Sequence, residues 1–86
     1  PNYEEEHLDT NLRYNEYVMT SLRTMWGIDK KYIEESFGQK LLKLLEKEIK
    51  PYLESGDAIE TNGHICLSPK GRLFADRIAS DCFSVD

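Results

Sequence analysis

The chain is 86 residues long, with a formal net charge of −5, 40% hydrophobic residues and 31% charged ones. That length holds one modest core; no apolar run approaches the ~20 residues of a membrane span; and the acidic balance disfavours a general affinity for nucleic acid or anionic membrane. No signal-peptide pattern opens the sequence, so a cytoplasmic location with reduced cysteines is expected.

Residues 1–8 begin with Pro1 rather than Met and read as a connecting arm of a longer chain, in which Tyr3 and Leu8 can dock while Glu4, Glu5 and Glu6 stay solvated. Residues 9–86 then form the domain. Asp9 or Thr10 can cap a first helix. At about 100° per residue, Leu12, Val18, Met19, Leu22, Met25 and Trp26 fall in one apolar arc, with Gly27 as its left-handed terminator. Asn15 also lies in that arc, and a buried amide must find partners. A hydrogen bond to a neighbouring loop is the ordinary answer; a contact to another domain or a ligand is the sharper one.

Asp29 caps a short second helix over Lys30 to Phe37, with Tyr32, Ile33 and Phe37 on its buried side and Gly38 at its end. A third helix is expected from Gln39 to Ser55. Leu41, Leu42, Leu44, Leu45, Ile49, Tyr52 and Leu53 fill half of its wheel, which makes it the core helix. Pro51 should bend it on the solvent side, where water satisfies the carbonyl left without a donor.

Thr61-Asn62-Gly63 separates two short strand-like runs and signals a hairpin. A two-residue Asn62-Gly63 loop sets Ile59 opposite Cys66. A three-residue loop pairs Ile59 with Ile65 on one face, and that single apolar face favours the longer loop. Ser68-Pro69 starts a last helix. Phe74, Ala75, Ile78 and Cys82 share its inner face with Gly71, which permits close approach, while Leu73 and Phe83 lie off it. The expected fold is therefore mainly α with a small β-hairpin, helix-helix-helix-hairpin-helix, in winged-helix-like order.

Lys40, Lys43, Lys47 and Lys50 form a stripe on the third helix, the helix that enters the major groove in DNA-binding winged helices. Between residues 40 and 50 these four lysines face Glu46 and Glu48, leaving +2, and no arginine or asparagine there suits bidentate base reading. A solvated face is the plainer reading of the stripe. Cys66, Cys82 and His64 lack the spacing of a metal site, so the cysteines are expected as small buried hydrophobes. No nucleophile has a base at recognisable spacing, and no catalytic residue is assigned. Arg23, at the edge of the first apolar arc, can reach a carboxylate.

Two stretches resemble the C-terminal domain of the oxygen-independent coproporphyrinogen III oxidase family of radical SAM proteins. The first has the pattern N-E-x-x-M-x-x-L-R-x-x-x-G-I and is met by Asn15, Glu16, Met19, Leu22, Arg23, Gly27 and Ile28. The second, L-(S/T)-x-K-G-x-x-x-x-D, is met by Leu67, Ser68, Lys70, Gly71 and Asp76. The similarity runs from Asn11 to Asp81.

The resemblance implies an upstream radical SAM barrel carrying a 4Fe–4S cluster and S-adenosylmethionine, neither of which the residues here should bind. It implies a non-catalytic accessory role, packing on that barrel and shaping a porphyrin site, with Asn15, Glu16 and Arg23 as contact positions and Arg23 as a partner for a propionate. The family includes true oxidases of haem biosynthesis and haem-binding chaperone-like members. The compact C-terminal end is more similar to the second type. A stand-alone nucleic-acid reader using the lysine stripe is the alternative.

Overall fold

A computed structural model describes residues 3–85, with side chains from residue 7 onward. The expected docking of Tyr3 and solvation of Glu4, Glu5 and Glu6 concern side chains outside the described residues. The elements are α1 (Tyr3–Ser21), β1 (Ile28–Asp29), α2 (Lys30–Phe37), α3 (Gln39–Ser55), β2 (Ala58–Thr61), β3 (His64–Leu67), α4 (Pro69–Arg72) and α5 (Ala75–Asp81). The fold is mostly helical with a small antiparallel sheet, in an order compatible with a winged helix.

α1 departs from expectation at both ends. Its backbone is already helical at Tyr3, so Asp9 and Thr10 lie inside the helix rather than at its cap. It stops at Ser21, six residues before Gly27. Three hydroxyls crowd the stop and weaken the last turn: those of Thr20, Ser21 and Thr24 donate to the carbonyls of Glu16 (2.9 Å), Tyr17 (2.6 Å) and Ser21 (2.8 Å). The amides of Arg23 and Thr24 reach back only three residues, which tightens the last turn. The buried face is consequently Asn11, Tyr14, Val18, Ser21 and Leu22. Leu12, Met25 and Trp26, expected in the core, are exposed.

α2 and α3 form where their cap signals place them, but of the three residues expected on the buried side of α2 only Ile33 is buried; Phe37 is partly covered and Tyr32 is exposed. The Asp29 carboxylate accepts from the amides of Lys31 (3.0 Å) and Tyr32 (3.4 Å), and Gly38 at φ 98 closes α2. α3 runs through Pro51 to a left-handed Gly56, burying Leu41, Leu45 and Ile49. Tyr14, Tyr17, Tyr32 and Phe37 pack α1 onto α2, with ring centroids 4.6–6.2 Å apart.

The hairpin takes the two-residue loop, not the three-residue one. Ile59 sits opposite Cys66 and Thr61 opposite His64. Asn62 at φ 53 and Gly63 at φ 80 supply the two left-handed residues of a type I′ turn. The sheet is built on β3, because β1 pairs along its other edge, Ile28 with Ile65. Ala58, Ile65 and Leu67 then face the core, and Ile59 with Cys66 turns outward. Ile65 and Leu67 share the buried side of the central strand, so exposing Ile59 costs less than moving either of them.

The expected final helix is broken in two. Ser68 caps α4, accepting from the Gly71 amide at 3.1 Å, but a turn at Leu73 and Phe74 separates α4 from α5. Phe74, expected on the inner face, is half exposed, whereas Ile78, Ala79 and Cys82 are buried against α1 and α3.

Candidate functional site

The two sequence motifs meet in space through Arg23 and Asp76. Arg23 leaves the turn after α1, Asp76 stands in the first turn of α5, and guanidinium and carboxylate form an ion pair. Met19 Sδ lies 3.7 Å from the same guanidinium. The pair is open to solvent and worth little to stability. It forms one wall of a groove of about 530 Å³ lined by Leu22, Leu67, Arg72, Leu73, Phe74 and Arg77. Of its lining, Leu73 is 79% and Phe74 52% exposed; Met25 and Trp26, 76% and 69% exposed, follow Arg23 in the same turn, with their carbonyls against Cys66 and His64 of β3.

The second motif converges on Asp57. The Ser68 amide and hydroxyl both donate to the Asp57 carbonyl, at 2.9 and 3.1 Å. The Lys70 ammonium lies 3.6 Å from the Asp57 carboxylate, whose Oδ1 is buried without a closer partner among the described residues. A β-carbon at Gly71 would collide with the Asp57 carbonyl, so the close approach expected at this glycine is real. Gly27 does the same for the first motif: at φ +71 it lies against the Ile65 carbonyl and Cys66 Sγ. It seats the loop on β3 instead of ending α1.

Of the residues expected at the site, Asn15 lies away from Arg23. Its amide is held by Ser84, donating from Nδ2 to the Ser84 carbonyl (2.9 Å) and accepting the Ser84 amide on Oδ1 (2.8 Å). That is the loop hydrogen bond described as the ordinary reading. Glu16 is exposed beside a shallow groove lined by Arg13, Tyr17, Thr20, Tyr32 and Phe37. Arg23 stands two helical turns further along, so the three are not gathered into one centre. Lys40, Lys43, Lys47 and Lys50 are all exposed on α3. Nearby, Lys30 bridges Glu46 (3.0 Å) and Glu60 (3.1 Å), and the hydrogen bond to Glu46 raises its pKa above the ordinary lysine value.

The cysteines do not fit an iron–sulfur ligand set. Cys82 is fully buried, and desolvation, followed by the charges of Asp81 and Glu48, pushes its thiol up to about 12. Cys66 sits on the sheet with Sγ 3.3 Å from the Met25 carbonyl. Among the described residues no group of three or more His, Cys, Asp or Glu could hold a metal ion, and no described helix is long and apolar enough to cross a membrane.

Several residues that hold the site together carry no sequence motif. Tyr14 donates to the Cys82 carbonyl at 2.8 Å, and burial raises its hydroxyl pKa above the ordinary tyrosine value. Its signal was the Asn11-Tyr14-Val18-Ser21 spacing, a second helical stripe offset from the aliphatic one. Asp57 gave no signal, because its partners Ser68 and Lys70 come from beyond the hairpin.

No curated protein and no solved structure matches the chain. The profile of the HemN C-terminal domain matches residues 8–74, a span that includes Asn15, Arg23, Gly27, Ser68 and Gly71 from both motifs. With most of its length covered, the chain belongs to the HemN C-terminal domain family.

Proposed function

We propose that the domain is a non-catalytic C-terminal accessory unit of a radical SAM protein of the oxygen-independent coproporphyrinogen III oxidase type. It packs on an upstream barrel and helps shape the porphyrin site, in haem biosynthesis or haem delivery. One observation carries this reading: the polar motif residues are spent on the domain's own architecture. Asn15 holds Ser84, Arg23 holds Asp76, and Ser68, Lys70 and Gly71 enclose Asp57. Motifs used in this way preserve a shape, which is what a docking unit requires. The cluster and S-adenosylmethionine belong to the upstream part of the parent in this reading.

Asn15, Glu16 and Arg23 remain the contact positions proposed for the porphyrin site or the barrel. With Asn15 and Arg23 engaged internally, Glu16 is the one whose carboxylate is open to a partner, and Arg23 would meet a propionate by exchanging Asp76 for it. The experiment is anaerobic reconstitution of the longer parent chain, followed by coproporphyrinogen III consumption with S-adenosylmethionine and titration with haem. Turnover supports the oxidase, and tight haem binding without turnover supports the haem chaperone. Neither result would overturn the reading and return attention to Lys40, Lys43, Lys47 and Lys50 as a nucleic-acid face.

A further inference from the structure

Two exposed turns lie side by side at one end of the domain: the turn after α1, with Arg23, Met25 and Trp26, and the turn between α4 and α5, with Arg72, Leu73 and Phe74. Arg23 and Asp76 tie them together, and Leu22, Arg23, Leu73 and Phe74 line the same groove. Isolated exposed apolar residues are ordinary; here Leu73 and Phe74 stand exposed in the groove itself, and Met25 and Trp26 are exposed on the turn that Arg23 ties to it. Aromatic residues, methionine and arginine are also the types enriched at protein interfaces. The charge is equally distinctive: three arginines against one aspartate give the groove +2 on a chain of net −5.

We infer that these two turns form one docking surface for a polypeptide face bearing carboxylates beside an apolar side chain, supplied by the upstream part of the parent protein. The inference rests on the accessory-domain reading and adds to it which surface docks and what chemistry it meets. The apolar side chains supply the contact area. Arg72, which has no carboxylate partner among the described residues, supplies the charge that selects an acidic counterpart. Arg23 is the less available cation, because Asp76 already holds it.

Hydrogen–deuterium exchange on the longer parent and on this 86-residue chain tests the assignment. Residues 22–26 and 72–76 are expected to exchange roughly tenfold or more slowly in the parent than in the isolated chain. Arg72→Glu and Leu73→Asp, both at exposed positions, should each reduce that protection in the parent, while Lys47→Glu on the lysine face should not. Protection that appears only on another face of the domain overturns this surface and leaves barrel packing intact. No protection anywhere overturns both. Protection in the isolated chain that grows with concentration identifies a second copy as the occupant and overturns the assignment, and indifference to Arg72→Glu overturns the acidic counterpart.

Discussion

Arg23 and Asp76, 53 positions apart, form the ion pair that joins the two motifs of this chain. Both side chains are more than half exposed, so solvent screens the pair and its net worth lies below about 1 kcal/mol. Arg23→Ala should therefore leave the urea midpoint of the isolated domain nearly unchanged, and a double-mutant cycle with Asp76→Ala should give a coupling of similarly small size. In the parent, the same substitution should weaken porphyrin binding or turnover more than it weakens folding. Equal, small effects on both would remove Arg23 from the proposed contact.

Gly71→Ala and Gly27→Ala are expected to be severe. Each added β-carbon meets a backbone carbonyl, of Asp57 or of Ile65, that cannot rotate away, and Gly27 also has a positive φ. Overpacking of this kind costs about 3 kcal/mol or more when backbone must shift. Gly56→Ala is the control: its φ is also positive, but nothing lies within 4 Å of the new carbon, so about 1 kcal/mol is expected. Chemical denaturation of the three variants checks the ranking.

Tyr14→Phe removes the only side-chain donor reaching the Cys82 carbonyl among the described residues and leaves that acceptor buried. The expected loss is about 1–2 kcal/mol, with an unchanged far-UV spectrum. No loss would mean that water enters behind α5.

Alkali should destabilise the domain, beginning near the unfolded thiol value. The Cys82 pKa is raised from 9.0 to about 12, so between those values the unfolded state releases a proton that the folded state keeps. Stability attributable to this group is complete below pH 9 and falls by about 1 kcal/mol per pH unit as pH rises towards 12. Tyr14 titrates in the same sense at higher pH, since its pKa is raised as well. Cys82→Ala should flatten the first part of the curve, measured as urea midpoint against pH. A thiol reagent at neutral pH should modify Cys66 first and reach Cys82 only on opening of the fold.

Duplex DNA should not be retained at physiological salt. The stripe of Lys40, Lys43, Lys47 and Lys50 is exposed but brings few phosphate contacts, and such binding falls steeply as counterions are restored. Fluorescence anisotropy at low and physiological salt decides this, and retention at the higher salt would revive the nucleic-acid reading.

Features set by neighbours in sequence were legible. Asp29 and Ser68 cap helices, Gly38 and Gly56 end them, and Asn62-Gly63 turns the chain, because each acts within four residues of itself. Features set by distant partners were not. β1 is two residues long and exists only because β3 offers it an edge, so no periodicity announces it. The hairpin register hangs on that same strand: without β1, pairing Ile59 with Ile65 on one apolar face favours the longer loop, and with it Ile65 is held in the core opposite Ile28. The hydrophobic period runs on through Met25 and Trp26, because it says nothing about where a helix backbone stops. At the site, Arg23 was legible as a group seeking a carboxylate, but the identity of its partner was not, and neither was Asp57 as the hub of the second motif.

The family match stops at Phe74, but the fold does not. Ile78, Ala79 and Cys82 fill the core from α5, and Ser84 holds both ends of the Asn15 amide. Contacts spanning nearly 70 positions therefore join the two ends of the chain. During synthesis α1 emerges with its Tyr14 face uncovered and waits for almost the whole domain before α5 can cover it. Such late, long-range closure is slow and leaves apolar surface accessible to chaperones in the interval. A ribosome stalled between Asp76 and Ser84 would hold a HemN C-terminal domain with every motif translated and its core still open.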